Sequence, residues 1–293
     1  MCAAASLSLG TAAAADIKLE LSGRGFPLVQ VALNGQGPFT MVLDTAAGIT
    51  TVSTPLVERL DLLNVGRMPQ PVQLAGGPQT VDLYTLGFVT LGGEKAPAPI
   101  TVVLDAPLNY IPRAQGILGM NVLSRFALDI DQPNGRMIVH PPGVTPDQGA
   151  DWSVIPIAQR WDSFLVIDLT IAGQPAKAVI DTGANETILN AKLRDALGIV
   201  EGGPGVTPGT IALAATPSLK VRLGPVKAGE TTWPTLGVQA ADLPLFRALG
   251  LDDTPALVLG NDALKQVRLF IDYAGDRVYL TRPTAAPLIG EAP

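Results

Sequence analysis

The feature that most constrains the fold is that the chain is written twice. Residues 26–45 read FPLVQVALNGQGPFTMVLDT and residues 163–182 read SFLVIDLTIAGQPAKAVIDT: in each, a strand-like run, a Gly-centred turn, a second apolar run, then Asp-Thr. Further on, AQGILGMNVL at 114–123 matches PALVLGNDAL at 255–264, each an apolar pair before a Gly that opens a short amphipathic segment. Each copy closes on a hairpin signal, Asn134-Gly135 in one and Gly275-Asp276 in the other. The offsets agree, 137 residues from Asp44 to Asp181 and 141 from Gly119 to Gly260. Self-similarity at so long a period predicts two homologous lobes.

Short runs of Val, Ile, Leu and Thr punctuated by 31 Gly and 26 Pro predict an all-β protein of two β-barrel lobes with a cleft between them. Helix signals are few: Thr54-Pro55 opening a segment to Leu63, Asn190 capping one that ends at Gly198, and a turn or two after Gly119 and Gly260. The Pro- and Gly-rich stretch at 141–152 reads as a linker between lobes at 16–140 and 153–283, with a tail at 284–293. Residues 1–15 are uncharged and end in small residues, which predicts a leader and an exported, periplasmic or secreted protein. Cleavage there would remove Cys2 and leave no disulfide chemistry. Nothing later is apolar for long enough to span a membrane, and a net charge of -6 without a basic stripe argues against a nucleic-acid partner.

With one His (His140) and one Cys (Cys2), the chain lacks the residues for a Ser-His-Asp triad, a Cys-His pair or a multi-His zinc site. Carboxylates must do any hydrolytic chemistry, with no metal and no cofactor. A strand ending in Leu43 or Ile180 delivers Asp44 or Asp181 into a turn on a rigid floor. Two facing lobes would bring the aspartates close enough to share one proton, since like charges about 3 Å apart do not both ionise cheaply. Such a pair can hold a water, take its proton on the ionised carboxylate and protonate a peptide carbonyl from the other.

These residues resemble the aspartic peptidase superfamily, pepsin-like and retropepsin-like, whose mark is an apolar pair, Asp-Thr-Gly-Ser/Ala, and a later apolar-apolar-Gly segment in each lobe. Asp181-Thr182-Gly183-Ala184 with Leu257-Val258-Leu259-Gly260 fits that mark fully; Asp44-Thr45-Ala46-Ala47 with Ile117-Leu118-Gly119 departs from it at Ala46. Ala47 and Ala184 lean toward the retropepsin-like side, as in bacterial retropepsin-like aspartyl proteases. The resemblance implies catalytic Asp44 and Asp181, Thr45 and Thr182 locking the lobes through hydroxyl bonds to the facing backbone, a peptide or protein substrate, and a monomer in which the two lobes replace two chains.

It also implies a Gly-rich flap in each lobe. The candidates are Ala75, Gly76, Gly77 and Pro78, and Thr207, Pro208 and Gly209; Gly76 and Pro208 each stand 16 residues before the next turn, at Gly92 and Gly224. Both also read as ordinary surface hairpins. Tyr84 is a candidate flap aromatic or a strand residue in an alternating run. Trp152, Trp161 and Trp233 read as packing residues and His140 as a solvated strand end. At Ala46 a β-carbon interferes with either a positive φ or a close backbone approach. The main expectation is an aspartic endopeptidase; the alternative is a weak or silent homologue that binds extended peptides.

Overall fold

The computed structural model describes residues 15–69, 71–74, 77–161, 164–200, 203–207 and 216–284. In the first half, strands Pro27–Leu33 and Gln36–Leu43 form a hairpin through Asn34-Gly35, both at positive φ, and bury Leu33, Phe39, Met41 and Leu43 completely. Gln36–Leu43 runs parallel to Gly116–Leu118, which is antiparallel to Thr51–Val52. Thr51–Val52 runs parallel to Glu94–Val103, which pairs antiparallel with Asp82–Leu91. Asp82–Leu91 returns to Pro27–Leu33 through Val31↔Leu91 and Leu33↔Val89, closing a six-stranded barrel. The fold is all-β and two-lobed, with a few short helices such as Thr54–Arg59 and Ala191–Ala196. Asn190 caps the latter by accepting from the Leu193 amide at 2.9 Å.

The second half repeats the pattern: Phe164–Ile171 and Gln174–Ile180 form the hairpin, and Gln174–Ile180 runs parallel to Ala256–Leu259 through Val179↔Val258. It differs in one place. Sequence predicts a strand pair turning at Gly224-Pro225, but Thr216–Leu223 pairs with Leu236–Ala240 instead. This long hairpin is the counterpart of Asp82–Leu91 with Glu94–Val103, interrupted at Gly224-Pro225 and turning at Gly229-Glu230; its outer part, Val226–Ala228 with Thr231–Trp233, hydrogen-bonds back to Phe164–Ile171 as Asp82–Leu91 does to Pro27–Leu33. Trp233, fully buried with its indole N–H on the Ala263 carbonyl at 3.3 Å, anchors that outer part.

Both halves also contribute three strands to a sheet beneath the lobes: Ala15–Lys18, Arg136–His140 and Ala127–Asp131 from one, Arg268–Asp272, Arg277–Leu280 and Ser153–Trp161 from the other. At its centre Ala127–Asp131 pairs antiparallel with Arg268–Asp272, and Asp129 faces Phe270. Phe270 lies 141 positions after Asp129, the same offset that separates the two Gly of the repeat, so the molecular pseudo-two-fold passes through this residue pair. His140, rather than being a free strand end, is partly buried with its ring 5.7 Å from that of Phe270. Trp152 stacks edge-on against Phe270 and Tyr279.

Buried Asp129 takes both arms of Arg268 across this junction, at 2.8 and 2.5 Å, while Asp147 takes a further bond from the same guanidinium at 3.0 Å. Removing Asp129 leaves a mostly buried cation with the exposed Asp147 and the Trp152 ring, 5.1 Å away, as partners. Asp129→Ala is therefore expected to lower the unfolding free energy by about 2 to 3 kcal/mol, the cost of breaking one side of a largely buried pair; denaturant unfolding followed by fluorescence measures it, and an unchanged midpoint would show that the junction does not depend on the pair.

Candidate active site

Each aspartate sits one residue past a buried parallel strand pair. The Asp44 amide donates to the Leu118 carbonyl at 3.1 Å and the Asp181 amide to the Leu259 carbonyl at 3.2 Å, so the apolar-apolar-Gly segment of each half holds its aspartate turn from below. That Gly must be a Gly because the turn crosses directly over it. A β-carbon on Gly119 would come within 2.7 Å of the Ala47 carbonyl oxygen, and one on Gly260 within 2.5 Å of that of Glu186. The following amides close the crossing: Met120 N–H to the Ala47 carbonyl at 2.7 Å, Asn261 N–H to the Ala184 carbonyl at 2.8 Å.

Across the lobes the two threonines, both completely buried, bond reciprocally. Thr45 Oγ1 accepts from the Thr182 amide at 3.1 Å and donates to the Ile180 carbonyl at 2.9 Å; Thr182 Oγ1 accepts from the Thr45 amide at 3.0 Å and donates to the Leu43 carbonyl at 2.7 Å. Every donor and acceptor in this knot comes from the other half of the chain. It brings Asp44 and Asp181 together, each 7% exposed. Within its own turn each carboxylate accepts a backbone amide at 2.8 Å, Asp44 Oδ1 from Ala46 and Asp181 Oδ1 from Gly183.

Burial pushes the Asp44 carboxyl up to about 6, against the pull of the Ala46 and Ala47 amides. Burial also raises Asp181 well above the ordinary carboxylate range, and the neighbouring Asp44 charge adds to it. The repulsion is mutual and belongs to the pair. Such a pair is stable with one proton, one half able to accept a proton and the other to donate one.

Ala46 and Gly183 now separate physically. Neither has a positive φ, so the turn does not need glycine for its conformation. The constraint is close approach: a β-carbon on Gly183 would land inside the Asp44 carboxylate. The pseudo-two-fold carries Gly183 onto Ala46 and Asp44 onto Asp181, so the Ala46 methyl occupies the position that Gly183 leaves open. It does so without breaking the Ala46 amide bond to Asp44. Ala47 is partly exposed and packs on the cluster of Phe26, Leu108 and Ile111, whereas Ala184 is buried.

Four supporting residues lay outside the sequence expectations. Thr50 accepts from the Gly119 amide at 3.1 Å and bonds Asn121 Oδ1 at 2.8 Å; Thr187 accepts from the Gly260 amide at 3.1 Å and donates to Asp262 at 2.6 Å. The signal was present: a Thr stands six residues after each aspartate, in DTAAGIT and DTGANET. The walls next to the pair differ in chemistry. Leu83↔Val102 and Lys220↔Gln239 are equivalent strand pairs; the first joins Ile49 in an apolar cluster, while Gln239 of the second donates to Glu186 at 3.2 Å. Burial raises the Glu186 carboxyl, and Asp262 raises it further.

Of the flap candidates, Gly77 and Pro78 lie in strand Gly77–Gln79, which pairs with Val72–Leu74 in a hairpin that approaches helix Pro244–Ala248 of the second lobe. Thr207 ends strand Gly203–Thr207, paired with Thr216. Ala75, Gly76, Pro208 and Gly209 lie outside the described residues. Tyr84 stands in the barrel wall between Asn64 and Thr101, toward the base of the first hairpin.

The sequence profile of a family described as "Aspartyl protease" matches residues 29–122 and 167–263, one match in each half. No curated protein sequence matches the chain significantly.

Two outcomes follow from the site geometry. Because Asp44 and Asp181 bind protons more tightly folded than unfolded, they favour the folded state below the ordinary carboxylate range. That contribution is lost as pH rises from about 4 through 6 and beyond. The unfolding free energy should fall over that window in the wild type and fall less steeply in Asp44→Asn/Asp181→Asn, where Glu186 and Asp262 still contribute; identical slopes would refute the assignment. Gly183→Ala should expel the Asp44 carboxylate from its place and remove the depression in slope that the pair causes, read in the same titration.

Proposed function

Since the chain belongs to the aspartyl protease family, we propose that it is an aspartic endopeptidase in which Asp44 and Asp181 activate a water against a peptide bond of an extended substrate. The observation that carries this reading is the pair of buried carboxylates held together by the reciprocal Thr45 and Thr182 bonds. In the half-protonated pair the ionised carboxylate takes a proton from the water as it attacks the carbonyl carbon. The protonated one delivers its proton to the carbonyl oxygen, giving a neutral tetrahedral diol. In the collapse the carboxyl that took the water's proton gives it to the departing amine, while the other carboxylate takes a proton from a diol hydroxyl, which leaves a carboxylic acid product and restores the half-protonated pair. No covalent enzyme intermediate is needed.

Substrate lies between the lobes under the hairpin of Val72–Leu74 and Gly77–Gln79, where closure excludes water from the carboxylates. A single chain carrying both halves works as a monomer, and the uncharged segment at 1–15 supports an exported protein. Among the described residues no helix is long and apolar enough to cross a membrane. The Ala46 methyl favours a second reading, a weak or silent homologue that retains extended peptides, because it crowds the space beside Asp181.

Cleavage of an unfolded protein over a pH series distinguishes the two. The wild type should cut at acidic to near-neutral pH and be blocked by a statine-type mimic of the tetrahedral diol. Asp44→Asn and Asp181→Asn should each lose at least about a thousandfold in kcat/KM, as expected when an essential acid or base is removed. Cleavage that survives Asp181→Asn would overturn the peptidase reading; a silent wild type that gains cleavage in Ala46→Gly would establish the second.

A further inference from the structure

The two aspartate turns are alike in backbone and unlike underneath. In the second half the peptide unit between Thr182 and Gly183 is engaged at both ends. Its N–H donates to Asp181 Oδ1 at 2.8 Å, and its carbonyl accepts from Asn261 Nδ2 at 2.6 Å. Asn261 Oδ1 in turn accepts from Gln132 Nε2 at 2.9 Å. Three amide groups thus run head to tail, from Gln132 in the first half of the chain to a carboxylate oxygen in the second. Gln132, Asn261 and Gly183 are all buried. Each donor polarises the next amide, and in a buried chain this strengthens each bond by roughly 10 to 30%.

The first half cannot build this chain. The residue equivalent to Asn261 is Met120, whose side chain has no N–H to give, and the residue equivalent to Gln132 is Tyr273, whose hydroxyl is buried with no hydrogen-bond partner. The Ala46 amide still reaches Asp44 Oδ1 at 2.8 Å, but no side-chain amide at position 120 can polarise it. A polarised donor favours the charged form of the carboxylate it touches.

We propose that Gln132 and Asn261 are positioning residues that place the negative charge of the pair on Asp181 and leave the shared proton on Asp44. Resting on the peptidase reading above, this assigns the roles: Asp181 takes the proton of the attacking water and Asp44 protonates the carbonyl oxygen. Burial raises both carboxyls and the charge of either raises the other, so burial and repulsion hold one proton on the pair without fixing its place, and the amide chain supplies the asymmetry; the other titratable groups nearby are already engaged. Tyr273 is neutral, its phenol raised by burial, with Arg160 beyond it. Asp262 is bound to Thr187, and Glu186 to Gln239.

The test is NMR of the aspartate carboxyl carbons in the full-length protein, with Asp44 and Asp181 assigned by single Asn substitutions and followed through a pH titration. Asp181 should ionise first in the wild type. Asn261→Met, which installs the first half's own residue, should raise the pH of that first ionisation by about half a unit, the scale of losing one polarising link. The acid limb of kcat/KM should move with it by the same amount. Gln132→Leu keeps Asn261 in place and should shift both readouts in the same direction by less, and it decides the matter if Asn261→Met does not fold. Asp44 ionising first in the wild type, or folded variants with an unmoved first ionisation, would overturn the inference. A wild type that cleaves nothing would count against the peptidase reading, not this one, because the NMR titration needs no turnover.

Discussion

The reciprocal bonding of Thr45 and Thr182 is the constraint on which the rest of the site depends. Its four hydrogen bonds contribute about 1 kcal/mol each in net stability, a modest amount for a chain of this size. Their importance is positional. Each hydroxyl is saturated by backbone groups from the opposite half, so neither aspartate turn can move without leaving a buried polar group unpaired. The stability of the junction comes from below, where Ala127–Asp131 and Arg268–Asp272 pair and Asp129 binds Arg268. One layer holds the halves together and another sets their register.

Much of this was legible in the sequence, because duplication turns weak local signals into strong ones. Asp-Thr after an apolar run is ordinary turn chemistry; the same pattern twice, each followed by an apolar pair and Gly, led to both aspartates and to the strands that carry them. The glycine turns at Asn134-Gly135 and Gly275-Asp276 marked the hairpins at the junction, with Gly135 and Asp276 at positive φ. The sheet those hairpins join was not legible, since its central pairing links residues about 140 apart and alternation does not say which strand lies beside which. The tip of the second long hairpin, at Gly229-Glu230, was hidden for a related reason: Gly224-Pro225 announces a turn without naming the strand on its far side.

The glycine that is missing from the first motif illustrates the limit of reasoning from residue type. Glycine can be required by conformation or by space, and sequence alone leaves both open. The backbone decides for space, since both turns keep negative φ and the same 2.8 Å amide bond. The chemical contrast of the walls, apolar around Ile49 and polar around Glu186, is likewise visible only once strand register makes Leu83 and Lys220 equivalents.

The residue pair on the pseudo-two-fold has a bearing on assembly. Were the first half to pair with a second copy of itself through the same strand, Asp129 would lie opposite Asp129, two buried like charges with no Arg268 to neutralise either. Phe270 and Arg268 remove that conflict, and both belong to the second half of the chain. A first half on its own therefore meets a charge conflict in pairing with a twin of itself, and the paired carboxylates wait on the strand that carries Arg268.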